Sequence, residues 1–328
     1  MARTLSELDH PFDILSHALT LSAAGARYAL VVVTGSTRGA VRSDGALMLV
    51  PETEGAVAGY VSNGCVDADL ALQARQALNE KAPRRLRYGE GSPFIDIRLP
   101  CGGAIDVLVI PDPNPEIMAN LSQSLAERRS ADLSFCCVSG RMTLADGVVG
   151  PAGWRGETYL ARYTPKLKLR IAGRGAEALA LLRVARAGGF DVVMQSPDDG
   201  LLEQAETLGA SETVKLKTPS SAPDISDDDW TAFALLFHDH DWEEALLAQA
   251  LRGPAFYIGA MGSQHTHTRR LQDLGHLGFE YEDLRRIRGP IGMIRSMRDA
   301  SLLAVSILAE IVSAHHYGAR EERVAACA

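Results

Sequence analysis

The sequence predicts an α/β protein: an amino-terminal mixed α+β domain followed by a Rossmann-like, doubly wound parallel-sheet domain. Three observations carry this reading. From Lys166 onward, apolar strand-like runs alternate with helical periodicities, the pattern of parallel strands joined by right-handed crossovers. The stretch "AGRGAEA" (172–178) sets Gly173, Gly175 and Ala178 as G-x-G-x-x-A at a strand-to-helix junction. Before Pro111, in contrast, short strands and helices follow one another without that alternation.

In order along the chain, Phe12, Ile14, Leu15, Ala18 and Leu19 fall at helical spacing and predict an amphipathic helix over 12–24. "YALVVVT" (28–34) reads as a buried strand, then a polar glycine loop, then the strand "ALMLV" (46–50). "GYVSNGC" leads into a helix whose first turn carries Asp67 and Asp69, where acids suit the helix dipole. "RRLRY", "FIDIRLP" and "AIDVLVI" are short strands, and the breaker cluster "PDPNP" (111–115) predicts a domain edge. The expected organisation is a domain over 1–111, a connecting helix (115–129) and strands ("LSFCCVSG", "ETYLARYT") over 112–165, and a Rossmann-like domain over 166–328. In that last domain the strands are "LKLRIAG", "DVVMQ", "AFALLFH" and "AFYIGA". Helices are expected at 175–188, 198–208, "WEEALLAQAL", 263–274 and 298–315. The polar, proline-bearing segment 217–230 reads as a loop that interrupts the alternation.

Composition narrows the function classes. A chain of 328 residues, 46% hydrophobic and 23% charged, is an ordinary globular sequence with enough length for two cores. A net charge of −8 argues against a nucleic-acid backbone binder. No apolar run approaches the roughly 20 residues of a membrane span. The amphipathic, acidic amino terminus is unlike a signal peptide. Five unevenly spaced cysteines then read as reduced thiols of a cytoplasmic protein.

The glycine turn lets backbone and a phosphate approach at Gly175, while Ala178 permits helix–strand contact. A nicotinamide dinucleotide, NAD or NADP, is the ligand such a turn first suggests. Yet Ser196 stands where an acid would hold the ribose hydroxyls, and no arginine follows for a 2′-phosphate. Asp198 and Asp199 could substitute, or could sit at a helix N-terminus. "GAMGSQHTHTRR" (259–270) places Gly262 and Ser263 at another helix start, with Arg269 and Arg270 one to two turns on, a pattern suited to an anion. "HDHD" offers His238, Asp239, His240 and Asp241 as weak metal candidates, with His265 and His267 nearby. Neighbours in an extended segment point opposite ways, so at most two share an ion and a capping role competes. Cys65, at a helix start in "SNGCVDAD", is placed for thiolate formation. Cys101, in "LPCGGAID", lies where backbone can approach a ligand. For both, a small buried residue beside a turn is the competing reading. Cys136 and Cys137 sit in an apolar strand, so at least one is expected in the core.

Taken together, these pieces resemble the XdhC/CoxI family of accessory proteins to molybdenum hydroxylases. The resemblance rests on "VVVTGSTRGAVRSDGALMLV", "GYVSNGCVDADL", "LPCGGAIDVLVIP", "RIAGRGAEAL", "YIGAMGSQHTHTRRLQDLG", "GPIGM" and "AVSILAEIV". It implies a chaperone that binds the molybdenum cofactor, supports its sulfuration by a cysteine desulfurase, and delivers it to an apo-hydroxylase of the xanthine dehydrogenase type. By the same resemblance Cys65 and Cys101 occupy the family's two cysteine motifs and are candidates for handling the cofactor. Gly173, Gly175, Ala178, Gly262, Ser263 and Arg269 would form its anion cradle. Homodimerisation is expected from the resemblance and from the apolar final helix. No conventional catalytic residue is expected. The alternative is an NAD(P)-dependent oxidoreductase, although Tyr281 lacks the lysine of a Tyr-x-x-x-Lys pair. A metal-dependent hydrolase centred on "HDHD" and a pure scaffold stand behind it.

Overall fold

The run of β-branched residues from Val31 to Val33 is buried on both faces, as the middle strand of a covered sheet requires. It belongs to β1 (Tyr28–Thr37). The computed structural model describes residues 5, 8–37, 42–53, 55–62, 64, 66–92, 99, 102–146, 150–295 and 297–325. The chain divides into two compact units, Met1–Pro165 and Lys166–Ala328.

In the first unit, α1 (Pro11–Ala23) precedes β1, then come β2 (Leu47–Pro51), β3 (Ala58–Gly59), α2 (Asp67–Glu80), β4 (Arg84–Gly89) and β5 (Ala104–Pro111). The five strands form an antiparallel sheet in the order β3-β2-β1-β5-β4. Leu70, Ala74 and Leu78 of α2 pack one face against Val31 and Val107. Beyond β5 lie α3 (Pro115–Ala126), β6 (Ala131–Cys136), β7 (Met142–Asp146), β8 (Gly153–Arg155) and β9 (Thr158–Tyr163). Their four strands form a second sheet, β7-β6-β9-β8. Leu133, Phe135 and Tyr159 from it share one core with Leu30 and Val32 of β1, Ile14 of α1 and Leu121 of α3. The segment 112–165 thus lies wholly in the first unit. The strand expected at "FIDIRLP" falls almost entirely outside the described residues.

The second unit holds β10 (Lys168–Gly173), α4 (Gly175–Ala187), β11 (Asp191–Ser196), α5 (Asp199–Thr207), β12 (Glu212–Lys215), β13 (Thr231–Leu236), α6 (Glu243–Arg252), β14 (Tyr257–Ala260), α7 (Gln264–His276), α8 (Tyr281–Leu284), β15 (Ile287–Arg288) and α9 (Ala300–Ala325). All six strands are parallel, in the order β12-β11-β10-β13-β14-β15. Numbered from β10, this is the 3-2-1-4-5-6 order of a doubly wound dinucleotide-type fold, with its topological switch between β10 and β13. Leu169 and Ile171 face a layer built with α4, α5 and α9. Ala172 and Phe233 face the opposite layer, built with α6 and α7.

Where a further crossover helix could cover that second layer, the polar segment 217–230 lies as a strap. Arg170, fully buried on β10, holds it: Nη2 donates to Asp227 Oδ2 at 2.7 Å, and Nη1 to Gln249 Oε1 at 2.7 Å. Gln249 Nε2 in turn donates to the carbonyl of Pro223, and the Arg170 guanidinium lies 4.1 Å from the centre of the Phe233 ring. A buried charge persists only when paired in this way. The carboxyl-terminal helix α9 runs past the expected end. It buries Ala304, Ile307 and Ile311 in the core it shares with α4. Its span Ala300–Gly318 is also long and apolar enough, by length and composition alone, to cross a bilayer.

Candidate functional site

Open parallel sheets bind ligands beyond the carboxyl ends of their strands, at the switch point. The G-x-G turn lies there. A Cβ on Gly173 would stand 2.7 Å from the Leu236 carbonyl oxygen, so the close approach of β10 to β13 demands glycine. Gly175, at φ +79, opens α4 in the left-handed region, and Ala178 is fully buried against the sheet. Glu177 occupies the first turn of α4, where a carboxylate complements the helix dipole. Across the switch its Oε1 lies 3.9 Å from Nε2 of His238, and Arg174 lies 5.7 Å from the Trp242 ring centre.

After β11, Ser196 is fully buried and its hydroxyl accepts from the Asp198 amide at 3.2 Å. Asp198 caps α5, accepting from Gly200 N at 2.9 Å and Leu201 N at 3.3 Å. Asp199 is paired with Lys215 at 2.6 Å. Both acids that could have replaced a ribose-binding residue are therefore engaged by the fold.

The "HDHD" residues diverge. His238 is exposed, Asp239 accepts from the Asp241 amide at 3.1 Å, and His240 Nδ1 lies 3.1 Å from Glu243 Oε1. Among the described residues no group of three His, Cys, Asp or Glu side chains is placed to hold a metal ion. The geometry has Asp239 capping the short turn 240–242, whose last residue, Trp242, stacks on Phe237 at 5.7 Å.

After β14, Gly262 takes φ +140 and Ser263 caps α7, accepting from Thr266 N at 3.1 Å. Arg269 points outward, 70% exposed and 3.7 Å from Asp273. The adjacent Arg270 is the buried one. Its Nε and Nη2 reach the two Glu243 oxygens at 2.7 and 2.9 Å, and Nη2 also donates to the Met261 carbonyl at 2.7 Å. Arg270 thereby ties the loop after β14 to the start of α6, and its Nη1 has no partner among the described residues. The cleft of about 490 Å³ between α6 and α7 includes Asp241, Glu243, Glu244 and Asp273 against Arg269 and Arg270, a carboxylate-rich lining. His265 is exposed. The ring of His267 instead backs onto Gly289, whose missing Cβ makes room for it. Burial, helped by the Arg270 charge, holds the His267 pKa below the usual imidazole value.

In the first unit, Cys65 and Cys101 lie outside the described residues, whereas Gly64, Val66, Leu99, Gly102 and Gly103 lie within them. Asp67 gathers the loop before α2, accepting from Val61 N at 2.9 Å, Ser62 N at 3.0 Å and Gly64 N at 2.6 Å. Tyr88 of β4 donates to Asp69 of α2 at 2.5 Å. Gly89 pairs with Ala104, at the start of β5 just beyond Gly102 and Gly103. The described flanks of both cysteine motifs therefore converge on one end of one sheet. Both Cys136 and Cys137 are half-buried, and Cys137 packs against the core from its edge. For Cys136, hydrogen bonds from the Ser139 hydroxyl and from the Ser139 and Val138 amides pull the thiol pKa down. Sequence reasoning missed Tyr88 and Glu243, and it named Arg270 beside Arg269 without telling that Arg270 is the buried one. For Arg270 a signal existed, since Leu271 and Leu274 mark the inner face of its helix.

Fold and site together define a two-unit protein in which an antiparallel α+β unit precedes a six-stranded Rossmann domain in the chain. Residues 169–311 match the family described as the XdhC Rossmann domain, and residues 21–89 match the XdhC and CoxI family. The chain is 34% identical over 300 residues to the molybdenum cofactor insertion chaperone PaoD of Escherichia coli K12, covering 92% of this chain and 87% of that protein. It is also 21% identical to the uncharacterized protein YqeB of the same organism, spanning 46% of that protein. In fold it is similar to a Bacillus halodurans protein whose crystal structure is described as a xanthine dehydrogenase, with TM-score 0.77, 19% identity, and 94% and 96% of the two chains covered. This chain belongs to the XdhC and CoxI family.

Proposed function

We propose that this protein is a molybdenum-cofactor chaperone. It holds the cofactor, supports its sulfuration by a cysteine desulfurase, and delivers it to an apo-hydroxylase of the xanthine dehydrogenase type in the cytoplasm. The observation that carries the reading is the similarity to PaoD over nearly the whole chain. The donor chemistry fits the group. A pterin phosphate calls for backbone amides and guanidinium groups, and a soft metal–dithiolene centre tolerates thiolate. The amides at Gly262 and Ser263 would supply the first, with Arg269 at the rim; beside Gly173, Gly175 and Ala178 the first turn of α4 already carries Glu177. Cys65 and Cys101 supply the second. When bound, the group brings the redox-active metal that the client enzyme requires; this chain binds and orients it.

A homodimer is part of the reading. Leu302, Val305 and Val312 are exposed on α9 with Ala309 between them, a three-four spacing that makes a coiled-coil-like seam. For NAD(P), the residues at the end of β11 are otherwise engaged: Ser196 is buried and Asp198 caps a helix.

The test is expression with an active cofactor pathway, followed by measurement of co-purified pterin and molybdenum. Near-stoichiometric pterin is expected. Its absence, together with failed reconstitution and micromolar binding of NAD(H) or NADP(H) by calorimetry, would turn the reading over to the oxidoreductase.

A further inference from the structure

We propose that the notch at the β15 edge, around Arg285, Arg288 and Arg295, is an anion subsite for the phosphate of a phosphomonoester ligand. That the phosphomonoester is the pterin cofactor rests on the reading above; the subsite itself rests on this chain's charges.

The protein carries a net charge of −8, yet three guanidinium groups line one notch of about 620 Å³ in which Glu310 is the only carboxylate among the lining residues. Glu310 is already committed. Its Oε2 accepts from the Tyr257 hydroxyl at 2.9 Å and from the Gly292 amide at 2.6 Å, while its Oε1 is 3.8 Å from Arg288. Among the described residues Arg285 is ion-paired with Glu282 alone, and both are strongly exposed, so water screens that pair. Arg288 is about half exposed, 5.6 Å from the Tyr257 ring centre. Arg295 makes no ion pair with a described residue.

The backbone of the notch is fixed before any ligand arrives. Ile291 N donates to the Ala260 carbonyl at 3.1 Å, which seats the loop 289–293 beside the loop that opens α7. Gly292 takes φ +102, and Ile294 N donates to Ser306 Oγ at 2.8 Å. The subsite is therefore continuous with the carboxyl edge of the sheet.

The starts of α4 and α5 already carry their own acids. Glu177 sits in the first turn of α4 and Asp198 caps α5. The α6–α7 cleft carries four carboxylates. Excess positive charge remains at the β15 edge, and guanidinium groups bind phosphate oxygens bidentately where a lysine offers only a point charge.

The test uses the full chain and inorganic phosphate as probe. Phenylglyoxal labelling read by mass spectrometry should show phosphate protecting Arg288 and Arg295 and leaving Arg183 labelled. Phosphate affinity from 31P line broadening should fall at least tenfold in the Arg288→Gln/Arg295→Gln variant, and Arg288→Lys, which keeps the charge, should fall between. Equal affinity in the wild type and the double variant, or no protection at these arginines, overturns the subsite. Co-purified pterin separates the two readings. Pterin retained unchanged by the double variant overturns the assignment of its phosphate to this notch. Phosphate protection in a wild type that neither co-purifies with pterin nor can be reconstituted with it leaves the subsite standing and sinks the chaperone reading.

Discussion

Arg270 donates from two nitrogens to Glu243, and both side chains are almost wholly buried. Removing one partner strands a charge in a low-dielectric interior. Glu243→Ala should therefore cost about 3–5 kcal/mol in urea-monitored stability, whereas an Arg270→Met/Glu243→Leu double variant should lose far less. Arg269, the neighbour that sequence reasoning favoured, should tolerate alanine with a change within about 0.5 kcal/mol, since its ion pair is exposed. The difference between two adjacent arginines is one of helical phase: position 270 shares its face with Leu274, and position 269 does not. His267 yields a pH prediction. Its folded pKa lies below the ordinary 6.5, so its contribution to stability is present above that value. Below it the unfolded chain takes up the proton first, and stability falls as pH drops through the folded pKa. Urea midpoints between pH 7.5 and pH 5.5 should decline, and less so in His267→Gln.

Among the elements, legibility follows burial. The central strands β10, β11 and β13 are covered on both faces, so they read from sequence as continuous apolar runs. The edge strands β12 ("ETVK") and β15 (two residues) carry polar or minimal patterns and did not. Nor did β7 and β8, whose short lengths give no alternation to count. The G-x-G turn was legible as geometry, because Gly173 answers to the Leu236 carbonyl, but not as a ligand site, because Glu177 supplies its own negative charge there. Gly173→Ala should cost about 1–3 kcal/mol through the forced shift of two paired strands, measured by chemical denaturation. The α9 seam makes the element-scale test of assembly. Val305→Glu with Val312→Glu should convert a dimeric mass to a monomeric one in light scattering while leaving the circular dichroism unchanged. A wild type that is already monomeric would remove the dimer from the proposed function.

For the whole molecule, what matters is that each core cluster is drawn from one unit. Leu169 through Ile311 supply one face of the Rossmann sheet, Ala172 through Ile287 the other, and the two clusters of the first unit run from Ile14 to Tyr163 and from Ala29 to Val109. The expected edge at residues 111–115 fell where a proline cluster marks a turn, but Leu121, Leu133 and Phe135 complete the core begun by Leu30. A composition signal cannot distinguish a turn inside a core from a boundary outside one. Hydrophobic burial on this scale supports independent folding of a domain of this size. A fragment of residues 166–328 should accordingly unfold in one cooperative urea transition with the helical signal of a doubly wound fold. Every residue of the β15 notch lies within it, as do Tyr257 and Glu310 that fix the notch. The fragment should then bind inorganic phosphate as tightly as the full chain does. A cooperative fragment with phosphate affinity lowered tenfold would mean that the first unit contributes to the subsite. A fragment without a cooperative transition would mean that the Rossmann core depends on its partner unit for stability.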